Sequence, residues 1–424
     1  MEKMSQKYIN KQGINEGRIV LHSDLNNFFA SVECKHRPEL STFPVAVCGN
    51  KADRHGIVLA KNEIAKKSGV KTAEPIWQAK QKCPDLIIVP PNYDEYVRYS
   101  RMVREIYYQY TDLVEGFGMD EAWIELTGDR KIKTLEQGGM IADEIRKKIK
   151  KKTGLTVSVG VSDNKIFSKL ASDYKKPDAV TIFGPHNYEN VISKIDIGEL
   201  LFVGRSTRAK LHLYGINTIG DLACSSDFFM KSMLGKNGEN LYRDACGANS
   251  DKVARMGCAD KAKSVGNSVT LPKDLENFDD VHNVLCALAE KVAYRLRSAK
   301  LAAKTVCISV RSTGLVTTEK QLPVDITSNA VEIADAATRL YADNYDINTP
   351  VRSVGIRTTN LVNSDDAVQL NMFDNSYIKR EKRAKIDNTV DEIISRYGVG
   401  SITHMSAMKI DVVKHNATSF AHGT

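Results

Sequence analysis

Three acidic residues, held in two short segments far apart in the sequence, carry the strongest chemical signal in this chain. Asp24 lies in His22–Glu33 (HSDLNNFFASVE), and Asp120 and Glu121 lie in Phe117–Trp123 (FGMDEAW). Each segment adjoins an apolar run typical of a strand, so a sheet can bring the three carboxylates together. Carboxylate oxygens are the ligands that Mg²⁺ prefers, and two ions roughly 3.5–4 Å apart suit an in-line displacement at phosphorus. The acids therefore predict a metal site for phosphoryl transfer.

Asp120 and Glu121 are adjacent in the second segment, which limits how both can reach one metal site. Successive strand residues point to opposite faces, so Asp120 and Glu121 can serve one site only where the strand turns. Gly116-Phe117-Gly118 immediately before them supplies the necessary freedom. The alternative for any one of these acids is a solvated turn residue.

Composition narrows the class of protein. The 424 residues exceed one ordinary core and predict roughly two to four domains. The net charge of +8 favours a polyanionic partner, nucleic acid first, although an excess of charge is more often a solvated surface. The eight cysteines include no C-x-x-C pair, which argues against zinc and disulfides. Residues 1–18 lack a signal core, and no stretch approaches the ~18 apolar residues of a membrane helix. We expect a reduced, soluble, cytoplasmic protein.

Periodicity then locates the elements that must position the acids. A strand over Ile19–Asp24 and a helix over Asn26–Cys34 are followed by a small insertion of short strands and helices, closed by Pro90-Pro91. Alternating helices and strands from Tyr93 to Ser172 complete a mixed α/β unit. Short helices broken by glycines over 196–223 predict an all-α unit, and the aperiodic 249–266 predicts a linker. Strands and helices over 268–358 predict a second α/β domain, with a polar tail from residue 363.

A lysine-rich block lies in Asn164–Pro177. Lys165 and Lys169 share a helix face, and Lys176 lies in the loop that leads to the next strand. Phosphates beside Mg²⁺ need such point charges. Taken alone, the block would be only a surface helix.

With the acidic segments in the same order, the chain resembles the Y-family lesion-bypass DNA polymerases, and among them the bacterial DNA polymerase IV branch. The resemblance covers roughly residues 18–373, with the motifs in family order and with family-like gaps. The motifs are His22–Glu33, Gly69–Pro75 (GVKTAEP), Tyr110–Trp123 (YTDLVEGFGMDEAW) and Asn164–Pro177.

The resemblance implies a multidomain α/β fold, the right-hand polymerase with a ferredoxin-like palm, small fingers, an all-α helix-hairpin-helix thumb and an α/β little finger. The implied boundaries are an N-terminal extension 1–17, palm 18–35 and 93–182, fingers 36–92, thumb 183–250, linker 251–262, little finger 263–362 and C-terminal tail 363–424.

The resemblance also implies the chemistry. Asp24, Asp120 and Glu121, with the backbone carbonyl of Leu25, would bind two Mg²⁺ ions. The primer 3′-hydroxyl would attack the α-phosphate of a deoxynucleotide and release pyrophosphate. No second acidic cluster of exonuclease type is present, so we expect no proofreading. Small fingers imply low fidelity and synthesis across damaged templates.

The nucleotide-binding residues implied by the family are Phe28 or Phe29, Lys66 and Lys176. Phe29 falls at the steric gate, where a ring lies under the sugar and excludes a 2′-hydroxyl. Two adjacent phenylalanines on a helix cannot both face the nucleotide, so Phe28 is the alternative core residue. Glu63 and Lys66 replace a tyrosine and an arginine that commonly grip the triphosphate. Lysine keeps the charge but loses the bidentate fork, and a glutamate repels phosphate.

A further departure concerns Asn26, which replaces a frequent second aspartate outside the core metal ligands. In the thumb, Val203, Gly204 and Arg205 resemble a DNA-binding hairpin whose backbone amides cradle a phosphate. Phe202 replaces the usual first glycine of that hairpin, and glycines are common at helix ends in any case.

The second α/β domain and the tail supply the remaining predicted contacts. Basic residues at a helix end and the next strand predict a phosphate-tracking surface, with a solvated face as the alternative; the predicted DNA contacts are Arg295, Arg297, Lys304 and Arg311. The segment Gln369–Phe373 resembles a sliding-clamp-binding peptide, with Gln369, Leu370, Met372 and Phe373 as contacts. An amphipathic helix with Ile386, Val390 and Ile394 follows it.

The expected partners are primer-template DNA, a deoxynucleotide and the sliding clamp (β subunit), with the chain a monomer and no membrane contact. Two other readings stay open. A nucleotidyl cyclase or another palm-type nucleotidyl transferase also uses paired acids and two metals. A DNA-binding or clamp-binding protein that has lost catalysis would explain the changed triphosphate contacts.

Overall fold

The computed structural model describes residues 17–49, 56–128, 132–257, 261–346, 349–364, 376–398 and 401–402. They divide into two compact units, one drawn mainly from residues 17–257 and the other mainly from residues 261–402. The architecture is mixed α/β, which confirms the predicted fold class. The predicted N-terminal extension lies outside the described residues, apart from Gly17.

The first unit combines two sheets with helices. In chain order its elements are β1 (Val20–Leu25), α1 (Phe28–His36), β2 (Val45–Cys48), β3 (Val58–Lys61), α2 (Glu63–Lys67), α3 (Ile76–Lys82), β4 (Ile87–Val89), α4 (Tyr93–Tyr107), β5 (Val114–Phe117), β6 (Glu121–Glu125), α5 (Leu135–Thr153), β7 (Val157–Ser162), α6 (Lys165–Tyr174), β8 (Val180–Ile182), α7 (Arg205–Leu213), α8 (Ile219–Cys224), α9 (Asp227–Leu234) and α10 (Lys236–Ala245).

A five-stranded sheet in the order β5-β6-β1-β7-β8 forms the centre of this unit. Its strand β1 alternates: Leu21 and Leu25 pack with α4 and α5 in the main core, while His22 and Asp24 face the side covered by α6. Helix α6 lies very close to the sheet at Gly160, where an added Cβ would stand 2.0 Å from the carbonyl oxygen of Ser168. Glycine is therefore required on β7 if α6 is to reach β1.

The insertion predicted between Pro38 and Pro91 is a separate small layer. Its strands form a three-stranded sheet in the order β3-β2-β4, and helices α2 and α3 complete it around a core of their own. The glycine-rich segment folds as α7 to α10, whose apolar residues share a core with Ile166 and Leu170 of α6. Both features agree with the element types expected from periodicity.

The predicted linker differs from the expectation over its first part. Val253 is 3% exposed and packs against Val20 and Trp123. Its amide donates to Glu125 Oε2 at 3.4 Å, and the next amide, of Ala254, donates to a carboxylate oxygen of Glu115 at 2.9 Å. The segment lacks a periodic pattern because side chains of β5 and β6, rather than a helix or sheet of its own, satisfy its backbone.

The second unit is an antiparallel sheet in the order β11-β10-β12-β9, covered on one face by two helices. Its elements are β9 (Ser264–Leu275), α11 (Phe278–Ser298), β10 (Leu301–Ser312), β11 (Thr317–Thr327), α12 (Ala330–Asn344), β12 (Val351–Asn363) and the tail helix α13 (Ser376–Tyr397). The predicted tail helix is thus present. In the described ranges the cysteines are free, and no helix there has the length and apolarity to cross a membrane.

Candidate active site

The register of β1 and β6 brings two of the three predicted acids together. The strands are antiparallel, with Asp24 paired to Glu121 and His22 paired to Trp123. Directly opposed residues have their side chains on the same face, which here is the face covered by α6. Asp24 is 6% exposed, so its carboxylate is buried at the end of β1.

Asp120 reaches the same place through the turn before β6. Gly118 has a φ of +84°, a conformation that glycine adopts without strain. The Leu25 amide donates to the carbonyl oxygen of Asp120 at 3.0 Å, and the Arg104 guanidinium donates to the carbonyl oxygen of Gly118 at 2.7 Å. These bonds hold the turn beside β1. Asp24, Asp120, Glu121 and the Leu25 backbone, hereafter the acidic site, therefore lie at one end of the sheet.

Two lysines of the predicted block close over the acidic site. Lys169 Nζ lies 3.2 Å from Asp24 Oδ2 and 2.9 Å from Glu121 Oε2. Lys176 Nζ lies 2.7 Å from the same Asp24 oxygen, and Asp173 contacts both amines. The Asn164 side chain caps α6 and so sets the rotation that directs Lys169 inward. Sequence reasoning named Lys176 for phosphate binding, and the structure adds Lys169 as a direct neighbour of the acids.

His22 is a site residue that the sequence analysis missed. The side chain is fully buried, with Nε2 3.2 Å from Glu121 Oε2 and Nδ1 2.8 Å from the hydroxyl of Ser172. It bridges α6 to a predicted metal ligand. The available signal was its spacing of two from Asp24 on a strand, which places both side chains on one face.

The electrostatics show a buried surplus of negative charge. Burial raises the pKa of Asp24, and burial together with the charges of Asp24 and Glu121 raises the pKa of Asp120 to about 6. Burial also acts to raise the pKa of Glu121, but the close approach of the His22 ring and the charge of Lys169 outweigh it and lower that pKa to about 2. Burial lowers the pKa of His22.

The donor set suits a divalent cation. Its oxygens are hard ligands, and added positive charge would relieve the repulsion that raises the pKa of Asp120. Within the described residues no group of three or more His, Cys, Asp or Glu side chains is arranged to hold a metal ion. In the structure, Lys169 lies 2.9 Å from a carboxylate oxygen of Glu121, and Lys176 lies 2.7 Å from one of Asp24.

The two adjacent phenylalanines have different surroundings. Phe28 is 3% exposed and packs in the main core against Tyr96, which favours the alternative that it is a core residue. Phe29 is partly exposed and stacks flat on Tyr96, with ring centroids 4.1 Å apart. The Tyr96 hydroxyl in turn donates to Glu33 at 2.7 Å. Phe29 therefore presents one ring face from a rigid support.

The insertion carries the altered triphosphate residues. Lys66 lies on α2 with half of its side chain exposed, 3.8 Å from Glu63 Oε1. Glu63 also accepts a hydrogen bond from Asn27 Nδ2 at 2.9 Å. Asn26, the other departure, is buried and bonds through its side chain to Ser158 and Thr156. It therefore has a structural role beside β1.

The glycine hairpin is present before α7. Gly204 caps that helix, Val203 is buried and Arg205 is exposed in its first turn. Phe202 has a φ of +69° and a ring that is 69% exposed. Phe202 thus adopts a left-handed backbone conformation that glycine adopts without strain.

The basic residues of the second unit that were predicted to contact DNA differ in their exposure and in their partners. Lys304 and Arg311 are exposed on β10, and Arg295 donates to the carbonyl oxygen of Gly266 at 2.8 Å. Arg297 differs: its guanidinium makes two bonds to Asp391 of α13, at 2.6 and 2.7 Å. These bonds favour a role of Arg297 in holding α13, and its contact with DNA stays a prediction. The clamp-binding prediction at Gln369, Leu370, Met372 and Phe373 lies outside the described residues.

Comparison with known proteins gives a consistent result. The model of the impB/mucB/samB family matches residues 23–173, and that of the impB/mucB/samB family C-terminal domain matches residues 262–372. DNA polymerase IV of Acetivibrio thermocellus is 46% identical, over 91% of this chain and 96% of that protein. DNA polymerase IV 1 of Bacillus subtilis is 35% identical, over 96% and 97%. A solved chimeric Y-family DNA polymerase has a TM-score of 0.72 at 24% identity, covering 81% of this chain and 99% of that one.

Proposed function

The chain belongs to the impB/mucB/samB family, in the bacterial DNA polymerase IV branch of the Y-family DNA polymerases, and we propose that its acidic site extends DNA primers on damaged templates. The observation that carries this function is the meeting of Asp24, Asp120 and Glu121 at one end of the sheet, with Lys169 and Lys176 beside them. Paired carboxylates with adjacent point charges are what phosphoryl transfer requires.

In this function the acidic site would hold two Mg²⁺ ions, which when bound activate the primer 3′-hydroxyl and neutralise charge on the phosphates. Glu121 is ionised at neutral pH because its pKa is about 2. Lys176 stays protonated, since despite burial the charge of Asp24 raises its pKa, and so offers an ammonium group to the triphosphate. The primer oxygen forms the new bond to the α-phosphorus, and the bond to pyrophosphate breaks.

Selection of the sugar would depend on Phe29. Its ring is fixed by stacking on Tyr96 and therefore cannot turn aside for a 2′-hydroxyl. The small three-stranded insertion, with its two short helices, offers little surface for checking the nascent base pair. We therefore include low fidelity and lesion tolerance in the proposal, without proofreading.

The domain assignment follows the same likeness. The five-stranded sheet with α4, α5 and α6 would be the palm (18–35 and 93–182), the three-stranded insertion the fingers (36–92), α7 to α10 the thumb (183–250) and the second unit the little finger (263–362). Residues 251–262 connect the last two, although Val253 packs on the sheet. Val203, Gly204, Arg205, Arg295, Lys304 and Arg311 remain proposed DNA contacts.

The proposed partners are primer-template DNA, a deoxynucleotide and a sliding clamp bound through residues 369–373, with the polymerase a monomer in the cytoplasm beside bacterial DNA. Deleting 369–373 should abolish clamp-stimulated synthesis and leave basal extension intact. Full stimulation of the deletion variant would exclude this clamp site.

Primer extension on a templated duplex with Mg²⁺ and deoxynucleotides tests the main function. We expect extension by wild type and by Asp85→Ala, a matched control because Asp85 is exposed in a turn, and none by Asp120→Ala. Absence of metal-dependent extension by wild type would refute the proposal. Formation of a cyclic nucleotide without DNA would favour a cyclase instead.

A further inference from the structure

Glu63 occupies a position where a phosphate-binding side chain is expected, yet its carboxylate would repel a triphosphate. In the structure it points toward the palm helix α1 and accepts a hydrogen bond from Asn27 Nδ2 at 2.9 Å. The start of α2 is itself fixed, because Asn62 accepts from the Ala65 amide at 3.0 Å and donates to the Phe43 carbonyl oxygen at 2.7 Å. The direction of Glu63 is therefore set by the fold of the fingers.

Asn27 is equally constrained. It immediately precedes α1 with φ +51° and ψ +38°, a left-handed conformation in which asparagine and aspartate are the least strained residues after glycine. It also lies two residues before the proposed steric gate, Phe29. The hydrogen bond to Glu63 thus joins the helix that carries the gate to the helix that carries Lys66.

The same carboxylate oxygen lies within ion-pair distance of Lys66. Lys66 Nζ lies 3.8 Å from Glu63 Oε1, one helical turn along α2, and half of the lysine side chain is exposed. An exposed pair of this kind adds little to stability. It does place the two charged groups side by side, at the end of a lysine side chain whose rotamer freedom is large.

We propose that the Asn27–Glu63 hydrogen bond is a latch between palm and fingers that turns the Glu63 carboxylate away from the nucleotide and aims Lys66 at its triphosphate. Glu63 is then a positioning residue that replaces the family's direct phosphate contact. The inference rests on the polymerase function proposed above. Loss of the latch should raise the KM for the deoxynucleotide and leave kcat nearly unchanged, since it acts on binding before the chemical step.

Exchange of the two partners provides the test. Asn27→Asp keeps the left-handed backbone but places two carboxylates against each other, and we expect the KM to rise about tenfold, as like charges at hydrogen-bond distance repel. Glu63→Gln retains the bond and should stay within about threefold of wild type. The double variant Asn27→Asp/Glu63→Gln restores the bond with donor and acceptor exchanged, and should bring the KM back toward wild type.

Lysine variants complete the design. Lys66→Met should raise the KM in the wild-type background but add little to Asn27→Asp, whereas Lys67→Met, on an exposed neighbouring lysine, should have no effect. Thermal melting of each variant verifies folding. An unchanged KM in Asn27→Asp, or a double variant as impaired as Asn27→Asp, would overturn the latch. Inactivity of the wild type would instead refute the polymerase function itself.

Discussion

Gly160 is predicted to be a point where one added methyl group disables the site. A Cβ at this position would lie 2.0 Å from the carbonyl oxygen of Ser168 and 2.3 Å from the amide nitrogen of Ser172, both backbone atoms of α6. Real Cβ contacts are essentially never below 3.0 Å, so Gly160→Ala must move α6 away from the sheet by at least the difference, 1.0 Å.

The displacement reaches the acidic site because α6 carries Lys169 and Ser172. Lys169 lies 2.9 Å from Glu121, and Ser172 lies 2.8 Å from the His22 ring. A retreat of this size lengthens both contacts beyond hydrogen-bond distance. Overpacking of a closely packed region costs about 1–3 kcal/mol, and misplacing a catalytic group by about 1 Å can cost up to roughly 100-fold in rate.

Single-turnover primer extension and thermal melting measure the two effects separately. We expect Gly160→Ala to lower the Tm by roughly 3–10 °C and to slow extension about 10- to 100-fold at temperatures where it remains folded. Gly314→Ala is the matched control, because its nearest atom to an added Cβ is 3.7 Å away. A Gly160→Ala variant with the wild-type Tm and rate would refute the close-approach argument.

Three further variants address single residues. Phe29→Ala should raise the incorporation of ribonucleotides relative to deoxynucleotides by at least about tenfold, because the stacked ring no longer fills the space under the sugar. An unchanged ratio in competition assays would contradict the role of Phe29 as the steric gate. Arg297→Ala should release α13, seen as faster tryptic cleavage, since it breaks a partly buried ion pair with Asp391. DNA affinity should stay at the wild-type value. A loss of DNA affinity would instead support Arg297 as a DNA contact. Asp244 is 5% exposed, and burial raises its pKa from 3.8 to about 6. The folded state therefore binds the proton more tightly than the unfolded state does. The stability of the protein falls as the pH rises from about 4 to about 6. Asp244→Asn should therefore stabilise the protein at pH 7, by up to about 3 kcal/mol, with no gain in stability below about pH 4. If the difference in Tm between variant and wild type does not depend on pH in this way, the Asp244 carboxylate is not destabilising.

Short-range patterns in the sequence determined much of the secondary structure and of the candidate site. A short apolar run indicated β1, and alternating valines indicated β7. Helical spacing indicated α4 and α6, and the turn glycine before Asp120 showed how two adjacent acids can serve one site. These features follow from local backbone geometry and from the side chains themselves, so they can be predicted from the sequence. The predicted metal ligands and Lys176 could be chosen on the same basis.

Tertiary structure decided which partner each side chain meets. Arg297 was predicted to contact DNA, and the structure pairs its guanidinium with Asp391, 94 residues away. The aperiodic segment around Val253 looked like a free linker, yet carboxylates of β5 and β6 bind its amides. His22 and Glu63 acquire their roles from Ser172 and Asn27. Such pairings depend on how elements that are distant in the sequence pack against each other. The local pattern of residue types does not specify that packing, so these partners could not be predicted from it.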